Sequence, residues 1–330
     1  MSGIDIVVTW VDGNDPAWQA SRAKYENNSG ELNNSARRFR DWDLMRYWFR
    51  GVEKFAPWVN KVVFITCGQR PLWLNVDNPK LMLVDHRDYM PEDALPTFNS
   101  NAIELGINKI VGLSDRFILF NDDFFILDGL KETDFFVDGL PCDFAALDAI
   151  EPSEDFDYIL ANNVRIINEN FDKREVLTNN RSQWFNLKDV KSVMRTVALR
   201  KPWNKFTGFR DYHTPVAYNR KEFDDMWERF PDIMNATVHS RFRGKDNISH
   251  WLIRYWRLAS GKFHTSSQKK YTFIPVIDGD NSVLVDAIKN QRKKILCIND
   301  NFEGDDISKA QKDLKEAFEA ILPEKSSFEI

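Results

Sequence analysis

The sequence predicts an α/β protein with a mostly parallel sheet flanked by helices and a partly helical insert. Short apolar runs without polar alternation, such as 117–120, are typical of strands that are buried on both faces of a sheet. These runs alternate with stretches whose apolar residues recur at helical spacing, which is the element order of an α/β sheet. Carboxylate and amide side chains directly follow several runs, at the sheet edge where such folds bind ligands.

The first 150 residues supply most of the predicted sheet. The expected elements are a strand at 4–11, a loop at 20–36, a helix at 41–56 that ends before Pro57, strands at 61–66 and 80–84, a helix at 99–110 and a strand at 117–120. Their order is that of repeated strand–helix units, which favours parallel pairing.

The pattern changes near residue 150, after one more short apolar run. The expected elements are a strand at 144–147, a helix at 156–170, an irregular or helical stretch at 172–212, helices at 220–230 and 247–260, a strand at 295–298 and a helix at 306–322. We predict one domain over residues 1–330, with an α/β core that comprises 1–150 and 260–305 and an insert that covers about 150–260.

Composition restricts the class of partner and the compartment. The chain has 330 residues with 45 basic and 50 acidic side chains, so its net charge is −5 and a nucleic-acid partner is not expected. Cys67, Cys142 and Cys297 are widely spaced and form no metal motif, which predicts buried free thiols in a reducing compartment. No signal peptide or membrane-spanning run is recognised, so a cytoplasmic location is expected.

Two adjacent carboxylates, Asp122 and Asp123, follow the apolar strand and come after Asn121. Neighbouring acids among aromatic residues repel one another unless a cation is bound. Oxygen ligands favour Mg²⁺, with Mn²⁺ as a second candidate, and Asp300 at the end of a late strand is a third candidate ligand. The alternative interpretation is a plain turn that caps the strand.

Two groups of arginines are candidates for binding a diphosphate. Arg46 and Arg50 are four residues apart on one predicted helix, close to Arg37, Arg38 and Arg40. Arg241 and Arg243 precede another helix, whose first backbone N–H groups attract anions. A solvated basic face with nearby acidic partners is the alternative interpretation for the first group.

Two further residues are candidates on the basis of their position. His213 lies in a loop before Pro215, where an imidazole can reach a ligand, although a lone histidine is more often structural. Glu104 lies in the helix that precedes the Asp pair, where an exposed helix position is the alternative.

Several different short motifs occur along the chain in a specific order. They are Ile4 to Gly13, Arg40 to Arg50, Ala56-Pro57-Trp58, Thr66 to Gln69, Leu95 to Ser100, Phe120 to Asp123, Tyr212 to Pro215, Arg241 to Arg243 with the helix through Gly261, and Leu296 to Asn301 with Leu322-Pro323 and Lys325-Ser326. Together they resemble the Stealth family of capsular polysaccharide phosphotransferases, which is related to N-acetylglucosamine-1-phosphotransferase. In this resemblance 212–215 corresponds to the third conserved block and 241–261 to the fourth.

The resemblance implies a bacterial enzyme that transfers a sugar-1-phosphate and has a Rossmann-like (GT-A-like) sheet. In its single catalytic domain, the core at 1–150 and 260–305 would bind the nucleotide sugar, and the insert at about 150–260 would lie on the acceptor side. An acceptor hydroxyl would attack the β-phosphorus of a UDP-sugar, and UMP would leave. The implied site residues are Asp122, Asp123, His213, Glu104, Arg241 and Arg243 for catalysis, Asp122, Asp123 and Asp300 for the metal, and Asp5, Trp10, Asp12, Gly13, Arg46, Arg50, Ser100 and Asn121 for substrate binding.

Several alternatives stay open at this point. A metal-dependent glycosyltransferase would release UDP instead of UMP, and a non-catalytic glycan-binding protein would use the many tryptophans. The favoured donor is UDP-GlcNAc, followed by UDP-Gal and UDP-GalNAc, and the acceptor is expected to be an oligosaccharide or a lipid-linked glycan. A lipid-linked acceptor suggests peripheral contact with the inner face of the cell membrane as a hypothesis.

Overall fold

The computed structural model describes residues 3–26, 39–304 and 306–330. Part of the predicted loop, 27–36, and the basic residues Arg37 and Arg38 lie outside the described residues. Residues 20–25 are helical, which corrects the start of that loop. The helix forms there because Asp15 accepts hydrogen bonds from the first free N–H groups and Pro16 occupies the first turn.

The strands, in chain order, are β1 (Ile4–Thr9), β2 (Val62–Thr66), β3 (Leu81–Asp85), β4 (Arg116–Phe120), β5 (Phe124–Ile126), β6 (Phe136–Val137), β7 (Leu140–Asp143), β8 (Val216–Asn219), β9 (His264–Thr265), β10 (Tyr271–Val276) and β11 (Ile295–Asp300). The α-helices are α1 (Pro16–Tyr25), α2 (Met45–Phe55), α3 (Ser100–Leu105), α4 (Asp155–Asn170), α5 (Lys173–Asn179), α6 (Arg181–Trp184), α7 (Val190–Leu199), α8 (Arg220–Arg229), α9 (Pro231–Val238), α10 (Trp251–Ser260), α11 (Ser282–Lys289) and α12 (Ser308–Ile321).

The central sheet has five strands in the order β3-β2-β1-β4-β8. The first four are parallel, and β8 pairs antiparallel with β4. This arrangement confirms the predicted α/β class with a mostly parallel sheet. The carboxyl ends of β1 and β4 lie side by side, since Val8 of β1 pairs with Phe120 of β4.

Both faces of the central sheet are covered, which explains why its strands are continuous apolar runs. The alternating side chains of β1 and β4 point to opposite faces. Ile6 and Ile118 pack in a cluster with α2 and α12, whereas Val7 and Phe117 pack in a second cluster with α8 and α10.

A second sheet, β10-β11-β5, brings the chain's late strand beside the turn that follows β4. β11 is parallel to β10 and antiparallel to β5. The Asp122-Asp123 turn therefore connects two different sheets, and the N–H of Ile298 in β11 donates a hydrogen bond to the Asp123 carbonyl at 2.9 Å. This placement fixes the two carboxylates where the sheets meet.

Several predicted elements differ from the structure. Residues 144–147 form no strand, and only Leu147 makes an isolated bridge, to Phe209. The stretch 172–212 contains α5, α6 and α7, and α10 begins at Trp251 rather than at residue 247. All three cysteines are free, but only Cys297 is buried, whereas Cys67 and Cys142 are partly exposed. Within the described part of the chain, no helix is long and apolar enough to cross a bilayer.

Candidate active site

A cleft of about 690 Å³ opens at the carboxyl ends of β1 and β4. Nine of the predicted site residues line it: Trp10, Ser100, Glu104, Asn121, Asp122, Asp123, His213, Arg243 and Asp300. They come from β1, α3, the turn after β4, two loops of the second half and β11. The fold therefore brings together groups that are up to 290 residues apart in the chain.

The carboxylate of Asp123 contacts a histidine and a cysteine. Its Oδ2 lies 3.4 Å from Nε2 of His213 and 3.3 Å from Sγ of Cys297. One ligand atom from each of these three residues lies within 4.8 Å of the other two, so they form a group that could hold a metal ion. Its Oδ1 is buried and has no hydrogen-bond partner among the described residues. A buried carboxylate oxygen without a partner is costly, and a bound cation would relieve that cost.

Asp122 faces the space of the cleft beside Asp123. Solvent reaches much of its surface through the cleft, yet protein atoms crowd closely around the carboxyl group. This desolvation, followed by repulsion from Asp123 and Asp41, raises the pKa of Asp122 to about 7. Asp41 lines the same cleft, and burial raises its pKa to about 6. Sequence reasoning misses Asp41 as a site residue, because an aspartate beside several arginines is equally expected to be their ion-pair partner on the surface.

His213 stands between Asp123 and two aromatic rings. Its backbone has a φ of +49°, in the left-handed region that a non-glycine residue rarely adopts. The imidazole contacts the ring edges of Phe124 and Phe273, with centroids 5.0 and 6.0 Å away. Burial lowers the pKa of His213, but the hydrogen bond to Asp123 and the charges of Asp123, Asp211 and Glu104 outweigh it, and the pKa is raised.

A buried ionic network holds the segment that precedes His213. Arg254 of α10 binds Asp143 at 2.9 Å and Asp211 at 2.6 Å, and only 2% of its side chain is exposed. Arg257 binds Asp143 at 2.7 Å. Asp211 is two residues before His213, so this network ties the histidine's loop to the helix. Sequence reasoning misses this network, because its partners are distant in the chain.

One part of the cleft wall consists of Glu104, Ser100 and Arg243. A terminal nitrogen of Arg243 donates to Oγ of Ser100 at 2.6 Å. Glu104 is 6% exposed, and its Oε2 lies 3.7 Å from Nε2 of His250. Burial raises the pKa of Glu104 to about 7, although Arg243, His213 and Ser100 oppose this change. A carboxyl group that titrates near neutral pH beside an arginine is typical of a catalytic site.

The structure does not bring Arg46 and Arg50 to the cleft, which corrects their predicted role at a diphosphate. Arg50 is buried, and it donates to both carboxylate oxygens of Glu329 at 2.8 and 3.0 Å and to the Leu322 carbonyl at 2.8 Å. The Arg46 guanidinium lies 5.5 Å above the ring of Trp73. Both arginines therefore contact other parts of the protein.

Asp5 and Arg241 are not among the residues that line the cleft. Asp5 is fully buried and accepts hydrogen bonds at 2.8 Å from Nδ2 of Asn60 and from the N–H of Ser114, at the amino end of β1. The Arg241 guanidinium lies 4.4 Å above the ring of Tyr25 and donates to a backbone carbonyl. The burial of Asp5 corrects the prediction that it binds substrate. Arg241 stays a predicted site residue, because its carbonyl accepts a hydrogen bond from the N–H of Phe98, which lines the cleft.

Asp12 and Gly13 lie in the turn after β1, which packs against a residue that lines the cleft. The N–H of Asp12 donates to Oε1 of Gln69 at 2.9 Å, and Gln69 also donates to Asp15. A Cβ on Gly13 would lie 1.9 Å from the Phe39 carbonyl oxygen, so only glycine fits there. Because Phe39 lines the cleft, Gly13 acts through this close packing.

Asp300 lines the cleft but is separate from the Asp122 and Asp123 pair. Its Oδ2 accepts from Nε1 of Trp42 at 3.1 Å, and its Oδ1 accepts from a backbone N–H at 2.9 Å. Arg40 lies 3.5 Å away and balances its charge. Asp300, like Asp122, is not part of the group of Asp123, His213 and Cys297 that could hold a metal ion within the described residues. Its role as a third metal ligand stays a prediction, and the ion pair with Arg40 makes a cation less necessary there than at the Asp122 and Asp123 pair.

The fold and the cleft define an α/β enzyme with acidic and basic groups gathered at the carboxyl ends of parallel strands. Family models of four conserved regions of Stealth proteins match this chain, region 1 at 3–30, region 2 at 38–142, region 3 at 212–256 and region 4 at 286–330. The chain belongs to the Stealth family. The segment 241–256 falls within region 3, which corrects its assignment to the fourth block, and region 4 is the C-terminal segment.

Characterised relatives extend over the whole chain. It is 42% identical to capsular polysaccharide phosphotransferase WcwK of Streptococcus pneumoniae, covering 100% of this chain and 98% of that protein. It is 42% identical to exopolysaccharide phosphotransferase cps2G of Lactiplantibacillus plantarum (99% and 96% covered) and 39% identical to receptor polysaccharide phosphotransferase WefC of Streptococcus oralis (100% of both). The chain is therefore a transferase enzyme, and the non-catalytic alternative is not supported.

Solved structures give a more distant likeness. The galactosyltransferase LgtC, in complex with donor and acceptor sugar analogs, is 9% identical with a TM-score of 0.38, covering 96% of each chain. The bifunctional glycosyltransferase WbbM is 10% identical with a TM-score of 0.34, covering 96% of this chain and 50% of that one. At these TM-scores the likeness carries no further conclusion.

Proposed function

We propose that the protein transfers a sugar-1-phosphate from a UDP-sugar to a glycan hydroxyl, releasing UMP and leaving a phosphodiester in a capsular or cell-surface polysaccharide. The observation that carries this proposal is the cleft in which Asp122, Asp123, Glu104, His213 and Arg243 meet. It occurs in a chain that matches polysaccharide phosphotransferases over its whole length.

The proposed reaction makes one bond and breaks one. The acceptor oxygen bonds to the β-phosphorus of the donor, and the bond from that phosphorus to the oxygen bridging to the α-phosphorus breaks. UMP leaves with that oxygen, and the acceptor's proton must pass to a base. Negative charge develops on phosphoryl oxygens, so catalysis depends mainly on positioning and on nearby cations.

Arg243 is proposed to supply a fixed positive charge at the diphosphate. It lines the cleft, and its hydrogen bond to Ser100 directs the guanidinium group. A guanidinium can offer two parallel donors to a phosphate, which a lysine cannot. Glu104 beside it balances the charge of the site when no substrate is bound.

His213 is proposed to accept the proton of the attacking hydroxyl. Its side chain is 41% exposed in the cleft, whereas Glu104 is buried, so an incoming acceptor reaches the imidazole more easily. Asp123 orients the ring through its contact with Nε2. A base that is held by a neighbouring carboxylate is a common arrangement for activating a hydroxyl group.

Asp122 and Asp123 are proposed to hold a divalent cation, Mg²⁺ or Mn²⁺. The residues fit such an ion because Asp123 has a buried oxygen without a partner among the described residues, and because burial, followed by repulsion from Asp123 and Asp41, raises the pKa of Asp122. Oxygen donors of this kind suit hard cations, which usually bind substrate phosphates as well. When bound, the ion would neutralise charge on the diphosphate.

The proposed donor is UDP-GlcNAc, with UDP-Gal and UDP-GalNAc as the next candidates, and the proposed acceptor is an oligosaccharide or lipid-linked glycan. A cytoplasmic location is part of the proposal, and the free cysteines fit a reducing compartment. One domain serves as the catalytic unit in this account.

The identity of the released nucleotide tests the proposal. Wild-type protein, Asp123→Asn and the matched surface variant Asp128→Asn would be incubated with each UDP-sugar, Mg²⁺ and candidate acceptors, and the nucleotides separated by chromatography. We expect UMP with wild type and with Asp128→Asn, and strongly reduced release with Asp123→Asn. UDP in place of UMP would show a glycosyltransferase and would overturn the phosphodiester chemistry.

A further inference from the structure

Helix α7 buries small polar side chains and exposes several apolar ones, which is the reverse of an ordinary surface helix. Its buried side chains are the small polar residues Ser192 and Thr196. Oγ of Ser192 lies 2.9 Å from Oη of Tyr212, and Oγ1 of Thr196 accepts from the N–H of Leu147 at 3.2 Å. A helix that only packs on a core turns its apolar stripe inward and its polar side outward. The fully buried positions of α7 are instead held by hydrogen bonds, and only the end of the helix packs an apolar side chain, Leu199, against the core.

The outward face of this segment is apolar. Its exposed side chains are Leu187, Val190, Met194, Val197 and Trp203, with exposed fractions of 76%, 54%, 67%, 44% and 49%. The first four are spaced three, four and three residues apart, so they form one stripe along the helix and the turn before it. We call residues 187–203 the α7 surface. A contiguous apolar stripe on a protein's exterior marks an interaction site more often than scattered apolar residues do.

The α7 surface is strongly basic, although the protein is acidic. Residues 187–203 contain five basic side chains (Lys188, Lys191, Arg195, Arg200 and Lys201) and one acid, Asp189, a net charge of +4, whereas the whole chain has −5. Of these cations, Arg195 forms an ion pair with Asp148. The remainder of the chain therefore has −9. The positive charge is concentrated on the segment that carries the exposed apolar stripe.

We propose that the α7 surface docks on an anionic lipid bilayer. Apolar side chains flanked by lysine and arginine are the pattern of helices that lie in the membrane interface, with the apolar stripe among the acyl chains and the cations at the headgroups. Trp203, half exposed at the end of the segment, has the amphipathic ring that is favoured at that depth. The net charge of +4 is complementary to an anionic surface.

A second copy of the chain is a poorer occupant of this surface. Closed dimers pair the same patch on both subunits, so the basic residues around the stripe would face one another. Like charges brought together at an interface are unfavourable. A nucleic acid would match the charge, but it would leave the central aliphatic stripe facing phosphates.

The α7 surface lies close to the cleft. Ser192 on its inner side contacts Tyr212, the neighbour of His213 in the chain. Docking would therefore place the membrane near the wall that bears His213, where an acceptor attached to a lipid would arrive. This consequence rests on the proposed function, whereas the docking itself does not.

Vesicle flotation tests the proposal. Wild-type protein would be mixed with vesicles of phosphatidylglycerol and phosphatidylcholine in equal parts, or of phosphatidylcholine alone. The test variant is Val190→Asp with Met194→Asp. The matched control is Leu72→Asp with Val111→Asp, since these side chains are 92% and 88% exposed and lie outside the α7 surface. Circular dichroism melts would verify that both variants are folded.

We expect wild type and the control to float with the anionic vesicles and to be released by high salt. The test variant should bind at least about tenfold more weakly, because two charges would have to enter the interface. It should still release UMP with a water-soluble acceptor, which separates this proposal from the proposed function. Equal binding of all three proteins, or none by wild type, would overturn it. Dimers of wild type that the test variant abolishes, without vesicle binding, would assign the surface to self-association instead.

Discussion

Replacing Glu104 with Gln is predicted to make the free protein more stable at neutral and alkaline pH while lowering its activity. The carboxyl group is 6% exposed, and burial raises its pKa from an ordinary value of 4.5 to about 7. Between these values the folded protein keeps a proton that the unfolded chain has lost. Stability therefore falls as the pH rises from the unfolded pKa through the folded pKa.

The size of this effect follows from the pKa change. One pKa unit corresponds to about 1.4 kcal/mol, so the change at Glu104 amounts to roughly 3 kcal/mol of stability lost above the folded pKa. Linkage places about 2 kcal/mol of that loss between roughly pH 5.5 and pH 8. An amide at this position does not titrate, so the substitution removes the pH-dependent loss.

Urea denaturation followed by tryptophan fluorescence would measure the effect. Wild type, Glu104→Gln and the exposed control Glu324→Gln would be compared at about pH 5.5 and pH 8. We expect the advantage of Glu104→Gln in free energy of unfolding to grow by about 2 kcal/mol at the higher pH and the control to show no such growth. UMP release should fall about a hundredfold or more in Glu104→Gln. The same advantage at both pH values would refute the reasoning.

Three further substitutions separate structural from catalytic residues. Arg50→Met leaves the buried Glu329 without its bidentate partner, so the free energy of unfolding in urea should fall by about 3 kcal/mol. The KM for the donor should be unchanged, and a raised KM would indicate that Arg50 belongs to the site. Asp5→Ala removes two buried hydrogen bonds and should cost roughly 1–3 kcal/mol, again without altered kinetics; an unshifted unfolding curve would contradict this. His213→Gln should lower kcat by about 10²–10⁴-fold while urea denaturation changes little, and retained kcat would exclude His213 as the base.

The apolar runs predict the four parallel strands of the central sheet. β1, β2 and β4 are buried on both faces, so their pattern is unbroken and easy to recognise. β10 was not predicted, because its run contains Pro275 and most of its side chains are only partly buried. β8 is only four residues long and directly follows Pro215, which made it indistinguishable from a loop.

The candidate site was predictable where the motif lies at the carboxyl end of a strand. Asp122 and Asp123 are next to β4 in the sequence, so strand polarity alone placed them. Arg50 could not be placed in this way, because spacing on a helix does not tell which face meets Glu329, 279 residues later. Asp5 lies on a strand of the correct sheet, but near the opposite end from the cleft.

The fate of the donor's β-phosphorus distinguishes transfer of a sugar-1-phosphate from transfer of a sugar. Wild-type protein would be given a UDP-sugar carrying ³²P at the β-position, Mg²⁺ and a glycan acceptor, with Asp123→Asn as the inactive control. We expect the label to move into the glycan product and the released nucleotide, UMP, to be unlabelled. Label recovered in UDP, with an unlabelled glycan product, would contradict this expectation.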